Sequence, residues 1–138
     1  GQERDDSCLL EKHLITPTKK KLTPNQLSTG LFAWKVVKHT KSNAIVVAKN
    51  NKIISISGGQ TSRVDATKIA FEKTKIPKGC IVASDAFFPF KDSIEKMAQY
   101  NIAAIIQPGG SIRDKEVVES CNKNKIAMAF TGFRVFKH

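Results

Sequence analysis

The strongest constraint on the fold is an order of patterns. A hairpin of two strand-like stretches, 44–49 and 53–57, precedes three short apolar runs at 80–83, 102–106 and 126–130. A helical pattern leads into each of those runs. Short apolar runs bounded by turn residues read as strands buried on both faces. Such runs alternating with helices read as βαβ units, with parallel strands and helices covering the sheet. The expectation is an α/β chain: one mixed sheet in a three-layer α-β-α arrangement. Its order is helix, hairpin, helix, strand, helix, strand, helix, strand, with no internal repeat.

Local signals support that order. Thr23 can cap a helix, Pro24 suits its first position, and Gln26 completes a T-x-x-Q capping box. Leu27, Leu31, Trp34 and Val37 follow at helical spacing and are expected to form one apolar stripe. Asn50-Asn51 reads as a turn, because Asn tolerates positive φ. Ile54 and Ile56 are expected on one face of the returning strand. Helices are expected over 64–73, with Ala66, Ile69 and Ala70 inward, over 92–100, with Ile94, Met97 and Ala98 inward, and over 114–122. Asn101 suits a left-handed residue after a helix. Gly58-Gly59, Pro77-Lys78-Gly79 and Pro108-Gly109-Gly110 read as breaks. Residues 1–22 read as an extended leading segment, with Leu9, Leu10, Leu14 and Ile15 able to pack on something. It ends in an exposed linker at Pro17 and Lys19-Lys20-Lys21. Residues 23–138 form the domain.

The chain has 138 residues, 41% of them hydrophobic, enough for one domain with its own core. The longest apolar runs, such as 44–48 and 102–106, fall far short of the roughly 20 residues of a membrane span. No charged stretch leads into an apolar signal segment, so no signal peptide is expected. The sequence opens on Gly1 rather than Met, which fits a processed chain or a piece of something longer. Cys8, Cys80 and Cys121 form an odd set without a C-x-x-C pair, which argues against a disulfide framework or a cysteine zinc site. Reduced thiols in the cytoplasm are expected, with Cys80 and Cys121 as small core residues. The net charge is +11, and no acid occurs between Lys12 and Val64. That field suits polyanions or anionic small molecules; a solvated lysine-rich face is the equal alternative.

Ligands of open α/β sheets bind at the loops leaving the carboxyl ends of strands. Here those loops are 58–63, 84–92 and 107–113. The glycine-rich Gly58-Gly59-Gln60-Thr61-Ser62-Arg63 opens a helix and suits an anion, or is a simple turn. Phe87, Phe88, Pro89 and Phe90 give the second loop more apolar surface than a solvated loop needs. Either the loop is buried under the next helix, or it walls a flat aromatic ligand with Asp92 at the polar edge. Lys38-His39 can be read as an acid–base pair, but cations near a helix C-terminus also simply suit the dipole. Cytidine deaminases use the same order of elements, with H-x-E and P-C-x-x-C holding a zinc-activated water. The corresponding stretches are Ser62-Arg63-Val64-Asp65 and Phe88-Pro89-Phe90-Lys91-Asp92, so the zinc site is lacking.

These residues also resemble a known family. Lys41-Ser42-Asn43-Ala44-Ile45-Val46, Gly59-Gln60-Thr61-Ser62-Arg63-Val64-Asp65, the stretch 84–92, Ile106-Gln107-Pro108-Gly109-Gly110-Ser111-Ile112-Arg113-Asp114 and the ending from Phe130-Thr131-Gly132 to His138 are similar to the C-terminal part of aminoimidazole carboxamide ribonucleotide (AICAR) transformylase. In bacteria that activity shares one protein with inosine monophosphate (IMP) cyclohydrolase. The resemblance implies a homodimer whose transformylase domain holds two deaminase-like repeats, with sites at the dimer interface. Residues 23–138 would be the second repeat. The implied reaction moves a formyl group from 10-formyltetrahydrofolate to the amine of AICAR, in purine biosynthesis, without a catalytic metal. Some members bind a monovalent cation near the C-terminus. By resemblance, Asn43, Phe87 and Arg134 contact the nucleotide, while Arg63, Pro89, Phe90 and Asp92 line the folate pocket. The family's catalytic Lys-His pair belongs to the first repeat, so no catalytic residue is assigned here, and Lys38-His39 is not that pair. The implied partners are AICAR, the reduced folate, the rest of the same enzyme and a second subunit, with no membrane and no nucleic acid. The alternative reading is a freestanding basic nucleic-acid-binding domain, although no arginine cluster or known motif accompanies the lysines.

Overall fold

The computed structural model describes residues 14–60, 62–86 and 91–132, without the side chains of Arg63, Val64 and Lys91. Helix α1 (Pro24–Lys38) starts as its sequence requires. Thr23 Oγ1 accepts the Gln26 N–H at 3.1 Å, and the Gln26 side chain accepts the Thr23 N–H at 3.0 Å. Strands β1 (Ile45–Lys49) and β2 (Lys52–Ser57) are joined through Asn50 and Asn51, both left-handed with φ of 51° and 61°. Then follow α2 (Arg63–Glu72), β3 (Ile81–Ser84), α3 (Lys91–Ala98), β4 (Ala104–Gln107), α4 (Asp114–Lys123) and β5 (Ala127–Phe130). Asn101 is left-handed, with φ of 58°. The strands form one sheet in the order β2-β1-β3-β4-β5. β1 runs antiparallel to both neighbours, and β3, β4 and β5 are parallel. The expected mixed α/β sheet is the one that forms.

The alternation of β1 divides the core. Ile45 and Val47 face α2, α3 and α4, where they meet Ala66, Ala70, Phe71, Ile94, Met97, Val117 and Cys121. Ala44, Val46 and Ala48 face α1, where Ala33, Trp34 and Val37 pack. The sheet is therefore the middle of three layers. Cys80 and Cys121 are both fully buried, as small core residues should be.

Four local expectations are corrected. The buried stripe of α1 is Gly30, Ala33, Trp34 and Val37, whereas Leu27 and Leu31 are only half-buried. Small residues win there because the helix lies close to the sheet: a Cβ on Gly30 would stand 2.2 Å from Ile106 Cδ1. Ile54 and Ile56 do not share a face. Val47 pairs with Ser55 and Ala48 with Ile53, so Ile54 is an extra, bulged residue. A bulge shifts the alternation by one, so Ile54 packs with the α2 side and Ile53 and Ile56 with the α1 side. On α2, Phe71 is buried and Ile69 turns outward.

The stretch around Pro17 is not a free linker, although Lys19, Lys20 and Lys21 are exposed. Ile15 exchanges both backbone hydrogen bonds with Phe130, at 3.0 and 2.7 Å. Buried Thr18 accepts the Met128 N–H on Oγ1 at 2.9 Å, and Lys19 N–H donates to Asn122 Oδ1 at 2.9 Å. This covers the outer edge of β5, whose open backbone groups would otherwise invite another strand. Leu9 and Leu10 lie outside the described residues, as does Cys8.

Candidate functional site at the carboxyl edge of the sheet

Because β1 runs against β3, its leading residues reach the edge where β2, β3, β4 and β5 end. Asn43 stands there, held on two sides. Its backbone N–H and its Nδ2 each donate to the Gln60 carbonyl at 3.1 Å, and Gln60 N–H returns to the Asn43 carbonyl at 3.4 Å. From the other side, Asp85 Oδ1 accepts the Ala44 N–H at 3.2 Å, and Asp85 Oδ2 accepts the Ser42 hydroxyl. Gly58 makes room for this junction, since a Cβ there would lie 2.4 Å from Thr40 Cγ2. Asp85 and Gln60 were not singled out from the sequence. Their partners are far away along the chain, and only the antiparallel placement of β1 brings them together.

Of the helix starts at this edge, that of α2 carries a side-chain cap and that of α4 does not. Ser62 Oγ caps α2 by accepting the Asp65 N–H at 3.1 Å, and Asp65 adds a carboxylate to the first turn. Before α4, Asp114 accepts the N–H groups of Gly110 and Ser111 at 2.7 and 3.2 Å. The start of α2 is thus capped, and its cap and Asp65 oppose the anion reading. Gly109, at φ of 77°, lies close to the Phe130 ring: a Cβ there would stand 2.8 Å from Phe130 Cγ. Thr131 N–H donates to the Gln107 carbonyl at 2.9 Å. The buried hydroxyls of Thr131 and Ser57, also at this edge, have no hydrogen-bond partner among the described residues. Ile112 at the tip of loop 107–113 is fully exposed.

Asp92 lies in the first turn of α3 with its carboxylate exposed. It heads a groove of about 480 Å³ between α2 and α3, with Phe71, Met97 and Tyr100 among its apolar lining and Lys68 and Lys96 beside it. The rings of Phe71 and Tyr100 are 4.8 Å apart. Arg63 is the first residue of α2. The remaining site candidates, Phe87, Pro89, Phe90 and Arg134, lie outside the described residues.

Lys38 and His39 are exposed at the end of α1, and the His39 N–H closes the helix onto the Val36 carbonyl at 3.1 Å. That arrangement suits the helix dipole. Several lysines of the acid-free segment are engaged by backbone carbonyls. Lys49 Nζ donates to Lys78 O at 2.6 Å, Lys21 Nζ to Thr16 and Thr18 O at 2.7 Å each. They satisfy chain ends and turns of the fold. Among the described residues no three His, Cys, Asp or Glu side chains converge on a metal-binding geometry, and no helix is long and apolar enough to cross a membrane.

Relatives of this chain are bifunctional purine biosynthesis proteins PurH. The protein of Aquifex aeolicus is 53% identical over 98% of this chain and 28% of its own length. That of Acetivibrio thermocellus is 57% identical over 99% of this chain and 27% of its own length, and that of Petrotoga mobilis is 52% identical with the same coverage. The chain thus spans 27–28% of the length of these relatives. A family model described as AICARFT/IMPCHase bienzyme matches residues 1–73, more than half of the 138. With the motifs of three edge loops and an α/β frame that carries them, this chain belongs to the AICARFT/IMPCHase bienzyme family.

Proposed function

We propose that this chain is the second, cytidine-deaminase-like repeat of the transformylase portion of the bienzyme, and that it supplies the binding half of a formyl-transfer site. The observation that carries the reading is the convergence of Asn43, the start of α2 at Arg63, and Asp92 on one sheet edge. These are three of the positions that the resemblance ties to nucleotide and folate.

In the proposed reaction the AICAR amine attacks the formyl carbon of 10-formyltetrahydrofolate. The C–N10 bond then breaks, and a proton passes from the amine to the departing nitrogen. A weak aromatic amine needs a positioned base and a donor for the developing oxyanion. The only described imidazole is that of His39, and it belongs to the end of α1. What this edge offers is an amide pinned between two loops and an exposed carboxylate beside an apolar groove. The amide orients a polar ring substituent, and Asp92 accepts from the donor-rich edge of a pterin. Phe87, Pro89 and Phe90 wall that pocket, and Arg134 holds the nucleotide, in the same reading. The unpartnered hydroxyls of Thr131 and Ser57 and the bare Ile112 fit an edge completed by the rest of the enzyme and by a second subunit in a cytoplasmic homodimer. The family's monovalent cation belongs, in this reading, near the C-terminus, whose residues 133–138 lie outside the described ones.

The test is a transformylase assay on this chain alone and after mixing with the remainder of the bienzyme. Activity is expected only in the mixture. Turnover by the chain alone at the rate of the mixture would overturn the reading and return Lys38 and His39 as candidates.

A further inference from the structure

Phe130 is a meeting point at the end of β5. On the outer side its backbone exchanges two hydrogen bonds with Ile15, at 3.0 and 2.7 Å. On the inner side it pairs with Gln107 of β4. Its ring lies against Gly109, which is buried and left-handed at φ of 77°. A Cβ on Gly109 would stand 2.8 Å from Phe130 Cγ and 3.0 and 3.1 Å from the two Cδ atoms. Glycine leaves that space and takes that φ without strain. Beyond Phe130 the chain keeps the same neighbour. Thr131 N–H donates to the Gln107 carbonyl at 2.9 Å, and Gly132 N–H to the Pro108 carbonyl at 3.0 Å. Gly132 is also left-handed, at φ of 66°, but nothing lies within 4 Å of where its Cβ would stand. Of these two glycines, only Gly109 is required by a neighbouring side chain.

We infer that Phe130, seated on Gly109, is a positioning residue for the nucleotide: it registers the segment after β5 against loop 107–113 and so sets where Arg134 starts. This rests on the proposed nucleotide contact of Arg134, which lies outside the described residues. Two residues of chain reach at most about 7 Å, so the register of Gly132 limits which part of the edge residue 134 can serve. Hydrogen bonds at the end of a ladder open readily on their own. The ring adds a contact that a slip destroys. Phe130 packs with the α2 side of the core, and a slip of one residue would turn its side chain to the other face of the sheet, away from Gly109. The bonds to Ile15 are made by the backbone, so a change of the side chain at 130 isolates the ring.

The experiment is a kinetic cycle on this chain assembled with the remainder of the bienzyme, using Phe130→Ala, Arg134→Ala and the double variant. Arg134→Ala is expected to raise KM for AICAR about 10- to 100-fold, the range of a lost charge-assisted hydrogen bond. Phe130→Ala should raise it roughly three- to tenfold, because only a fraction of the molecules then holds Arg134 in place. KM for the folate should stay parental, a split that a general loss of structure would not produce. Phe130→Leu keeps a Cγ against Gly109 and should return the AICAR value towards the parent. In the Arg134→Ala background Phe130→Ala should add nothing further. A parental AICAR KM in Phe130→Ala, or the same increase with and without Arg134, overturns the inference and leaves the nucleotide site standing. A parental AICAR KM in Arg134→Ala makes the nucleotide contact itself wrong, and the inference falls with it. Circular dichroism verifies that each variant is folded. Should Phe130→Ala be unfolded, Gly109→Ala displaces the ring from the other side and runs the same cycle.

Discussion

Asp85 reaches from the loop after β3 to the backbone of Ala44 at the head of β1, its Oδ1 3.2 Å from the amide nitrogen. Ala44 is fully buried, so this carboxylate is what keeps its N–H paired. The same carboxylate holds Ser42, and Asn43 lies between the two contacts. Removing it with Asp85→Ala should cost roughly 1–3 kcal/mol, the penalty for a buried donor left unpaired. The assembled enzyme should also show a raised KM for AICAR, because Asn43 loses one of its two supports. Asp85→Asn keeps an acceptor for Ala44 and should be the milder change. Urea midpoints and AICAR kinetics for the pair of variants measure this; equal stability of Asp85→Ala and the parent would refute it.

Thr18 does the same service at the other edge. Its hydroxyl accepts the Met128 N–H at 2.9 Å and donates to the Lys20 carbonyl at 2.8 Å, and the residue is 1% exposed. Thr18→Val preserves shape and removes both hydrogen bonds. A loss of about 1–3 kcal/mol is expected, with Thr18→Ser closer to the parent. Amide exchange should report the change at Met128 first, since that N–H alone loses its acceptor.

Asp92 is the direct probe of the folate site. Its exposed carboxylate stands at the mouth of an apolar groove. Asp92→Ala should lower kcat/KM for the folate by about 10- to 100-fold in the assembled enzyme, the range for a site hydrogen bond lost. Because the side chain is exposed, the thermal midpoint should stay with the parent. A variant with parental folate kinetics would remove Asp92 from the site.

These contacts mark what a reader of the sequence can and cannot reach. Thr23 with Gln26, Asn50 with Asn51, and Asn101 are local devices, and each does what its residue type favours. The element order and the mixed sheet follow from them together with the buried apolar runs, whereas the strand order β2-β1-β3-β4-β5 comes only with the fold. Which residue of a helix goes inward is a different matter. Leu27 and Leu31 satisfy the spacing of a core stripe, but the sheet selects Gly30 and Ala33 because distance, not hydropathy, decides there. Ile54 and Ile56 obey the period of two, yet a bulge set by pairing with β1 overrides it. Within the site, Asn43 and Asp92 could be named from motifs. Asp85 and Gln60 lie in the same motifs, but their roles could not be named, because those roles consist of contacts made across the fold.

The two buried thiols give a pH-dependent prediction. Burial pushes Cys121 from an ordinary 9.0 up to about 12. Cys80 also moves up through burial, with Lys49 pulling partly the other way. Below about pH 9 the thiols are protonated both folded and unfolded, so their contribution is constant. Above it the unfolded chain ionises first, and stability is lost as pH rises towards the folded value. One such group gives a slope of at most about 1.4 kcal/mol per pH unit. Urea unfolding of the parent and Cys121→Ala between pH 8 and 11 separates this from lysine titration, which both share. The difference between them should narrow or reverse as pH rises. A thiol reagent at pH 8 should modify Cys80 and Cys121 only as fast as the chain opens.

The close approach of α1 to the sheet makes the last prediction a contest between two terms. Gly30→Ala should help the helix by roughly 1 kcal/mol through backbone propensity. The new methyl, however, would lie 2.2 Å from Ile106 Cδ1 and 3.2 Å from its Cγ1. Ile106 is fully buried in the second strand from the sheet edge, so making room for the methyl requires its Cδ1 to repack inside the core. Overpacking of that kind costs about 1–3 kcal/mol, so the net effect should be destabilising. Ile106→Val removes the clashing Cδ1 and alone costs about 0.5–1.5 kcal/mol. In that background Gly30→Ala should cost less or become stabilising, with a coupling of roughly 0.5–3 kcal/mol between the two sites. Chemical denaturation of the two single variants and the double variant measures the coupling. Strict additivity would mean that α1 can move away from the sheet, and that small residues on its inner face are not what holds the layer spacing.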